Sequence, residues 1–382
     1  MKYEPADVFF VAGEASGDLQ ASLLASAARK LHPGLTLAGI GGERLRHAGA
    51  TISYESPELA SIGPLSILPK IPMLYIVLRR LEAAMRRRPP RLFVPVDAGA
   101  VNLTLVRWLR KGGYGAPIVY YFPPGAWLDN LEQARAVAAL TVPLTPFAHQ
   151  RDFYARNGLR VAYFGHPLVS VIPSRSAQPS SQAPLIAVLP GSRREEIEHH
   201  VPTLARTARE LGRIAGVSFV AVAASPSLAN RIETLWSRSG GPGSLTIAQT
   251  SAVRALQSAN VAWVASGTAV LEAALVKVPQ IAFYVLSTLQ RRIAGRRLPP
   301  HLLQRVTLPN LVMEREIIPE LLQERFTVPN LVDLTTSLLE REALRREQLE
   351  AYDSLRAALG PADTLAQIAG FVVDQLEERA AS

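Results

Sequence analysis

The sequence predicts an α/β protein of two doubly wound domains, and three observations carry that expectation. Short apolar runs rich in branched residues alternate with helical patterns in both halves of the chain, as in parallel sheets covered on both faces. Several of these runs end in a glycine-bearing turn that opens onto a helix, the arrangement in which ligands sit at the carboxyl ends of strands. At 382 residues the chain is too long for one ordinary core. A Pro- and Ser-rich stretch without periodicity, residues 172–184, reads as a linker. The expected boundaries are therefore 1–171 for an N-terminal domain and 185–345 for a C-terminal one, followed by helical residues 346–382.

Composition narrows the function classes. Hydrophobic residues make up 48% and charged residues 19%, which excludes general disorder. A formal net charge of +9 favours an anionic partner: a nucleotide, nucleic acid or an anionic membrane surface. Few aromatics lie among the basic residues, so no stacking platform for nucleic acid is expected. The absence of cysteine excludes disulfides and thiolate chemistry. Seven scattered His give no metal signature, so no metal is expected. With no signal-peptide pattern and no run of about 20 apolar residues, the expectation is an intracellular protein, soluble or peripheral.

Taken in order, Val8 to Ala12 is a strand pattern leading into Gly13-Glu14-Ala15-Ser16-Gly17-Asp18. Gly13 and Gly17 permit a tight turn, and Ser16 and Asp18 are both suited to cap the helix that follows. That helix is expected to turn Leu19, Leu23, Ala27 and Leu31 inward. Leu35 to Ile40 is a second strand, ending in Gly41-Gly42 and another helix start. The glycine spacing is not a dinucleotide fingerprint, so NAD is not supported.

Residues 62–90 differ. Ile67, Leu68, Ile71, Leu74, Tyr75, Leu78 and Leu81 form an apolar stripe, with Lys70, Arg79, Arg80, Arg86, Arg87 and Arg88 around its end. This is either a surface helix with a core face or a basic amphipathic segment lying on an anionic bilayer. Leu92 to Val96 is again a strand, with Asp97 at its end and a helix through Leu105, Trp108 and Leu109. Asp97 either caps the turn or faces the ligand edge as a general base. Ile118 to Phe122 leads to Pro123-Pro124-Gly125-Ala126-Trp127, and strands over 140–144 and 161–164 complete this half. His166 either touches a ligand or holds a loop.

The second half opens on Leu185 to Leu189, followed by Pro190-Gly191-Ser192-Arg193-Arg194-Glu195-Glu196. Ser192 and Glu195 have the spacing of a capping box, and Ile197, Val201, Leu204, Ala208 and Leu211 follow at helical spacing. A helix N-terminus directly after a parallel strand, with the guanidinium of Arg193 beside it, suits a phosphate. Further strands are expected at 217–223, 245–248, 261–264 and 280–284. The one ending in Ala265-Ser266-Gly267-Thr268 starts a second such helix, which carries Glu272. Two helix starts suit a diphosphate, and Glu272 is either a ribose ligand or a surface acid favoured by the helix dipole.

With both turns in view, the chain resembles lipid-A-disaccharide synthase, a glycosyltransferase of the GT-B type. The resemblance rests on Ala12-Gly13-Glu14-Ala15-Ser16-Gly17-Asp18, Gly39-Ile40-Gly41-Gly42, the segments 189–196 and 265–272, Leu308-Pro309-Asn310-Leu311 and Pro319-Glu320-Leu321-Leu322-Gln323. It implies a GT-B-like fold of two Rossmann-like domains facing a central cleft, with the last helices packing back on the first domain. It implies an inverting transfer of 2,3-diacylglucosamine from its UDP donor to 2,3-diacylglucosamine 1-phosphate, giving a β-1,6-linked disaccharide and UDP, with no metal or other cofactor. By resemblance, Gly191, Ser192 and Arg193 match the diphosphate site, and Ser266, Gly267, Thr268 and Glu272 the nucleotide-ribose site. Asn310 and Gln323 match positions near the donor. Gly13, Glu14, Ser16, Gly17, Asp18 and Trp127 match the acceptor-side loops, and Asp97 the proposed base. The implied setting is the cytoplasmic face of a bacterial inner membrane, which the basic residues of 62–91 and Arg291, Arg292, Arg296 and Arg297 would contact. A homodimer is an open option.

Two stretches depart from the family pattern. The family's Ala-Pro-Asp-Phe-Asn is Ala98-Gly99-Ala100-Val101-Asn102 here, without the second carboxylate. Its Ser-Pro-Ser-Val-Trp-Ala-Trp-Arg becomes Pro123-Pro124-Gly125-Ala126-Trp127-Leu128-Asp129-Asn130, with one Trp and one Arg absent. Both fall in the acceptor half. Two alternatives keep the fold: a UDP-binding homologue with another lipid acceptor or no turnover, and a UDP-sugar epimerase.

Overall fold

The computed structural model describes residues 3–55, 71–125, 129–175, 179, 183–212, 216–248, 251–285 and 305–377. The chain divides into two compact units, Met1–Ser170 with Leu359–Ser382, and Val171–Ala358.

The first unit is built on a seven-stranded parallel sheet of order β3-β2-β1-β4-β5-β6-β7. Its strands are β1 (Val8–Ala12), β2 (Leu37–Gly41), β3 (Thr51–Glu55), β4 (Leu92–Val96), β5 (Val119–Tyr121), β6 (Val142–Thr145) and β7 (Ala162–Tyr163). Its helices include α1 (Ala15–Leu31), α2 (Glu43–His47), α3 (Ile71–Arg87), α4 (Gly99–Lys111), α5 (Leu131–Leu140), α6 (Ala148–Arg156) and α7 (Leu168–Val171). Strand β1 shows why the central strands read as unbroken apolar runs. Val8, Phe10 and Ala12 face a core formed with Ala21, Leu24, Ala25 and Ala28 of α1. Phe9 and Val11 face the opposite core, with Leu78, Leu81 and Met85 of α3 and Leu105 and Leu109 of α4. Both faces are buried, so alternation disappears.

Helix α1 is rotated from the sequence expectation. Ala21, Leu24, Ala25 and Ala28 are buried and Leu31 is 54% exposed. The reason is a second helix on the same side: the chain's final helix (Thr364–Glu377) packs Ile368, Val372 and Leu376 into that core. Small alanines therefore face the crowded side.

The second unit carries a six-stranded parallel sheet of order β10-β9-β8-β11-β12-β13. Its strands are β8 (Leu185–Leu189), β9 (Ser218–Val222), β10 (Leu245–Ala248), β11 (Val261–Ala265), β12 (Gln280–Tyr284) and β13 (Glu320–Leu322). Around it lie α8 (Arg194–Gly212), α9 (Pro226–Arg238), α10 (Ala252–Ser258), α11 (Thr268–Val276), α12 (Leu308–Val312), α13 (Val328–Glu340) and α14 (Glu342–Leu359); the final helix is α15. Of the two C-terminal helices, α14 is held to the second sheet. The Gln348 side chain accepts from the Gln280 N–H at 2.8 Å and donates to the Gln280 carbonyl at 3.0 Å. The chain re-enters the first unit at Leu359.

Edge strands β3 and β13 were not evident in the sequence. Thr51–Glu55 is largely half-exposed, and Glu320–Leu322 is three residues long with a buried carboxylate at its start. Neither gives an apolar run.

Both sheets reverse strand order beside their first strand, at β1/β4 and β8/β11. In register, Ala12 pairs with Val96 and Leu189 with Val264. The loops leaving these four strands thus emerge in neighbouring pairs at the ligand-binding edge of each sheet.

Candidate active site

In the second unit, β8 ends at Leu189, Pro190 follows, and the chain turns at Gly191 with φ +123°. A side-chain carbon on Gly191 would stand 2.5 Å from Glu196 Oε2, so glycine is required by both conformation and space. The carboxylate that shapes this turn is Glu196, not the Glu195 of the expected capping box. Helix α8 starts at Arg194, which makes Arg193 the N-cap and Glu196 the third helical residue. Glu196 Oε2 accepts from the N–H groups of Ser192 at 3.0 Å and Arg193 at 3.2 Å, and Oε1 pairs with the Arg193 guanidinium at 3.1 Å. This is the backward half of a capping box, displaced by one residue. The first-turn N–H groups of α8, residues 194–196, have no intrahelical acceptor by helix geometry.

His200, on the next turn of α8, fastens this loop to the sheet. Its Nδ1 lies 2.7 Å from the Pro190 carbonyl, and its Nε2 accepts from the Val285 N–H at 3.2 Å. A carbonyl only accepts, so Nδ1 carries the hydrogen and the ring is neutral. Burial pushes its pKa down to about 4, consistent with that tautomer. The sequence offered no signal for this role, because the partners lie 10 and 85 residues away.

Beside this turn, β11 ends in Ser266-Gly267-Thr268. The Ser266 N–H is held by the Phe283 carbonyl at 2.9 Å, and Gly267 is the N-cap of α11. A Cβ on Gly267 would meet nothing within 4 Å, so the turn stands open. Glu272 lies on the second turn of α11, half-buried. At the end of the edge strand β13, Gln323 takes a left-handed φ of +53°.

Asn310 is elsewhere in its commitments. Its Nδ2 donates to the Ile318 carbonyl at 2.8 Å and to Glu320 Oε1 at 2.7 Å. Its Oδ1 accepts from the N–H groups of Ile317 at 2.8 Å and Ile318 at 3.0 Å. Fully buried, with every donor used and both lone pairs engaged, it holds the loop before β13 and has no group left for a donor nucleotide.

In the first unit, the loops after β1 and β4 meet. A Cβ on Gly13 would lie 3.2 Å from Ala98 Cβ. Gly17 packs α1 against the same strand ends: a Cβ there would lie 3.6 Å from the Val96 carbonyl oxygen. Glu14 is the N-cap of α1 and exposed, while Ser16 lies inside the helix and half-exposed. Neither Ser16 nor Asp18 caps α1. Asp18 is buried and turned toward α2, where Oδ1 accepts from the N–H groups of Gly42 at 2.6 Å and Leu45 at 3.3 Å, and Oδ2 from Arg44 at 3.2 Å. A Cβ on Gly42 would stand 2.8 Å from Asp18 Oδ2, which explains the paired glycines Gly41-Gly42. Asp18 is therefore a tertiary cap rather than a ligand group.

Asp97 follows β4 with φ +50°, and Ala98 with +44°. Two consecutive left-handed non-glycine residues persist only where the surroundings enforce them. Asp97 is an exposed residue, yet its carboxyl is crowded by protein, so desolvation raises its pKa to about 6, with the like charge of Glu14 a second cause. Asn102, fully buried on α4, donates from Nδ2 to the carbonyls of Val11, Val96 and Asp97 at 3.2, 3.1 and 2.9 Å. It ties both strand ends together beneath Asp97. His166 resolves as a loop holder: it is buried, its pKa is pushed down to about 3 by burial, and its Nδ1 accepts from the Leu168 N–H at 3.3 Å. Trp127 lies outside the described residues.

Helix α3 buries Val77, Leu78, Leu81 and Met85 against the sheet. Its other face exposes Met73, Tyr75 and Ile76 by 44, 53 and 49%, followed by exposed Arg79, Arg80, Arg86 and Arg87. Tyr75, a member of the apolar stripe, lies on this exposed face and stacks edge-on against Trp108 at 5.4 Å. Leu65, Ile67, Leu68 and the Arg291–Arg297 cluster lie outside the described residues. Among the described residues, no helix is long and apolar enough to cross a membrane.

Comparison with known proteins places this geometry in context. Residues 8–365 match the family described as lipid-A-disaccharide synthetase. A lipid-A-disaccharide synthase of Thiobacillus denitrificans is 35% identical over 79% of this chain and 82% of its own. One from Chromobacterium violaceum is 34% identical over 92% of this chain and 93% of its own. Among solved structures, the Staphylococcus aureus MnaA–UDP complex aligns with TM-score 0.63 at 11% identity over 98% of this chain and 97% of its own. The Neisseria meningitidis UDP-GlcNAc 2-epimerase, bound to UDP-GlcNAc, gives 0.60 at 14% over 97% and 99%. The calicheamicin glycosyltransferase CalG4 gives 0.53 at 14% over 98% and 99%. At these identities the structural likenesses show the fold, a GT-B-like pair of parallel-sheet units.

Proposed function

The chain belongs to the lipid-A-disaccharide synthetase family, and from that premise we propose how its residues carry out the transfer. It is a hexosyltransferase acting in lipid A disaccharide formation. In our reading the donor is UDP-2,3-diacylglucosamine and the acceptor 2,3-diacylglucosamine 1-phosphate. The acceptor 6-hydroxyl oxygen attacks the anomeric carbon as the bond to the UDP oxygen breaks, with inversion, and Asp97 takes the hydroxyl proton. The products are a β-1,6 disaccharide and UDP.

The observation that carries this reading is Asp97 itself. It is a carboxylate at the strand-order reversal of the first sheet, on an exposed residue, with a pKa raised to about 6 by desolvation. That suits a base working near neutral pH, a role typically worth about a hundredfold to ten-thousandfold. On the donor side, Arg193 and the first-turn N–H groups of α8 and α11 would receive the diphosphate. Fixed donors aimed at a leaving group are worth about 2.7–4 kcal/mol each. Gly191 and Ser192 shape that turn, Ser266, Gly267 and Thr268 form the neighbouring one, and Glu272 and Gln323 are the ribose-side and donor-side candidates. Glu14 and Ser16, with Gly13 and Gly17 behind them, would line the acceptor side.

The test is transfer from UDP-diacylglucosamine to the monosaccharide phosphate, read by product mass. The expected result is that Asp97→Ala abolishes disaccharide formation while calorimetry still detects UDP binding. Undiminished transfer by that variant would remove Asp97 as the base.

The exposed face of α3, apolar at Met73, Tyr75 and Ile76 and then basic, supports a peripheral position on an anionic membrane. For an acylated donor and acceptor that surface is the cytoplasmic face of the inner membrane.

A further inference from the structure

We propose that Tyr120 is a positioning residue for the transfer: its hydroxyl holds the main-chain carbonyl of Asp97, and so the direction in which the Asp97 carboxyl projects. The inference rests on the reading of Asp97 as the base. The left-handed backbone at Asp97 and Ala98 needs enforcement. Three contacts supply it. The Asp97 N–H donates to the Tyr121 carbonyl at 3.0 Å. The Asp97 carbonyl accepts from Asn102 Nδ2 at 2.9 Å and from the Tyr120 hydroxyl at 3.0 Å.

These donors differ in what else they do. Asn102 also binds Val11 and Val96, so its loss would disturb the ends of both central strands as well as Asp97. The Tyr120 ring packs against Leu103 and Val137 in a small core of its own, contacts that a phenylalanine ring retains. Burial pushes the phenol pKa well above its ordinary value, so the hydroxyl stays protonated and remains a donor at any working pH. Removing that hydroxyl leaves the Asp97 carbonyl with the Asn102 amide as its remaining side-chain donor, which loosens the 97–98 peptide and lets the carboxyl shift from the proton it accepts. Nothing in this chain of contacts involves the nucleotide turns at 190–193 and 266–268.

The experiment uses the full chain with Tyr120→Phe and, separately, Asp97→Asn, measuring turnover at saturating donor, donor KM, UDP affinity and melting temperature. For Tyr120→Phe, turnover is expected to fall roughly tenfold to a hundredfold, as for a small misplacement of a reacting group. Donor KM and UDP affinity should hold within about twofold, and melting should shift little, since one neutral hydrogen bond is lost. Turnover within twofold of the parent overturns the proposal. So does a loss matched by a rise in donor KM or a collapse in melting temperature, because a merely structural tyrosine would do that. Full turnover by Asp97→Asn overturns the base reading itself. Slow Asp97→Asn beside a fully active Tyr120→Phe overturns only the positioning role.

Discussion

Gly99 lies directly against the ring of Pro124, and a side-chain carbon on Gly99 would collide with Pro124 Cβ. These residues come from the two stretches that depart from the family pattern, 98–102 and 123–130. The two stretches are in contact: the proline after β5, which the family pattern also has, is accommodated here because the first residue of α4 has no side chain. Around them, Gln150 donates to the carbonyls of Pro123 and Pro124 at 3.3 Å each, and Asn130 caps α5 by accepting from the Gln133 N–H at 3.0 Å. The rewritten loops are thus internally supported.

Gly99→Ala is expected to force the Pro124 loop and the Asp97 turn apart. Overpacking of this kind costs about 1–3 kcal/mol, and transfer should fall with it. The double variant Gly99→Ala, Pro124→Gly removes the colliding atom and should regain most of the stability. A melting-temperature cycle over the four proteins reads the coupling, and simple additivity would show that the contact is not felt.

The pH profile should report Asp97. A base acts when ionised, and its pKa is raised to about 6, by desolvation first and by Glu14 second. kcat/KM should therefore rise with pH up to about 6 and level off above it. Glu14→Gln removes the like charge, which lowers the Asp97 pKa, so the acid limb should move to lower pH. A limb that stays in place would show that Glu14 does not act on the titrating group.

At the turn after β8, if it receives the donor as proposed, Arg193→Ala should weaken UDP binding by roughly one to two powers of ten, the range for a charge-assisted contact of about 1.5–3 kcal/mol. Glu196→Ala should also weaken it, for another reason: the N–H groups of Ser192 and Arg193 lose their acceptor, and the helix start loses a cap worth about 0.5–2 kcal/mol. Calorimetry with UDP and a melting curve separate the two, since Arg193→Ala should leave melting nearly unchanged and Glu196→Ala should not.

Flotation with anionic vesicles addresses α3. Met73→Glu with Ile76→Glu should reduce vesicle binding, and Arg86, Arg87 and Arg88 changed to Glu should reduce it further and weaken its salt dependence. Unchanged flotation in both sets would mean that α3 is not the contact.

Much of this molecule is local and could be read along the chain. The central strands β1, β2, β4, β8, β11 and β12 announce themselves as apolar runs because both faces of a parallel sheet are covered. The turns after β1, β4, β8 and β11 are legible because glycine, a cap residue and a helix start fall within a few positions. What only the tertiary structure decided is where each polar side chain spends its hydrogen bonds. Asp18 caps a helix 24–27 residues away, and Asn310 is consumed by residues 7–10 positions on. His200 bridges to Val285, and Glu196 rather than Glu195 fills the turn after β8. Edge strands β3 and β13 and the inward face of α1 were likewise set by neighbours distant in sequence. Periodicity carries burial because burial is a property of one face of one element. A carboxylate or carboxamide is satisfied by whichever N–H the fold brings within 3 Å or so, and no spacing along the chain encodes that distance.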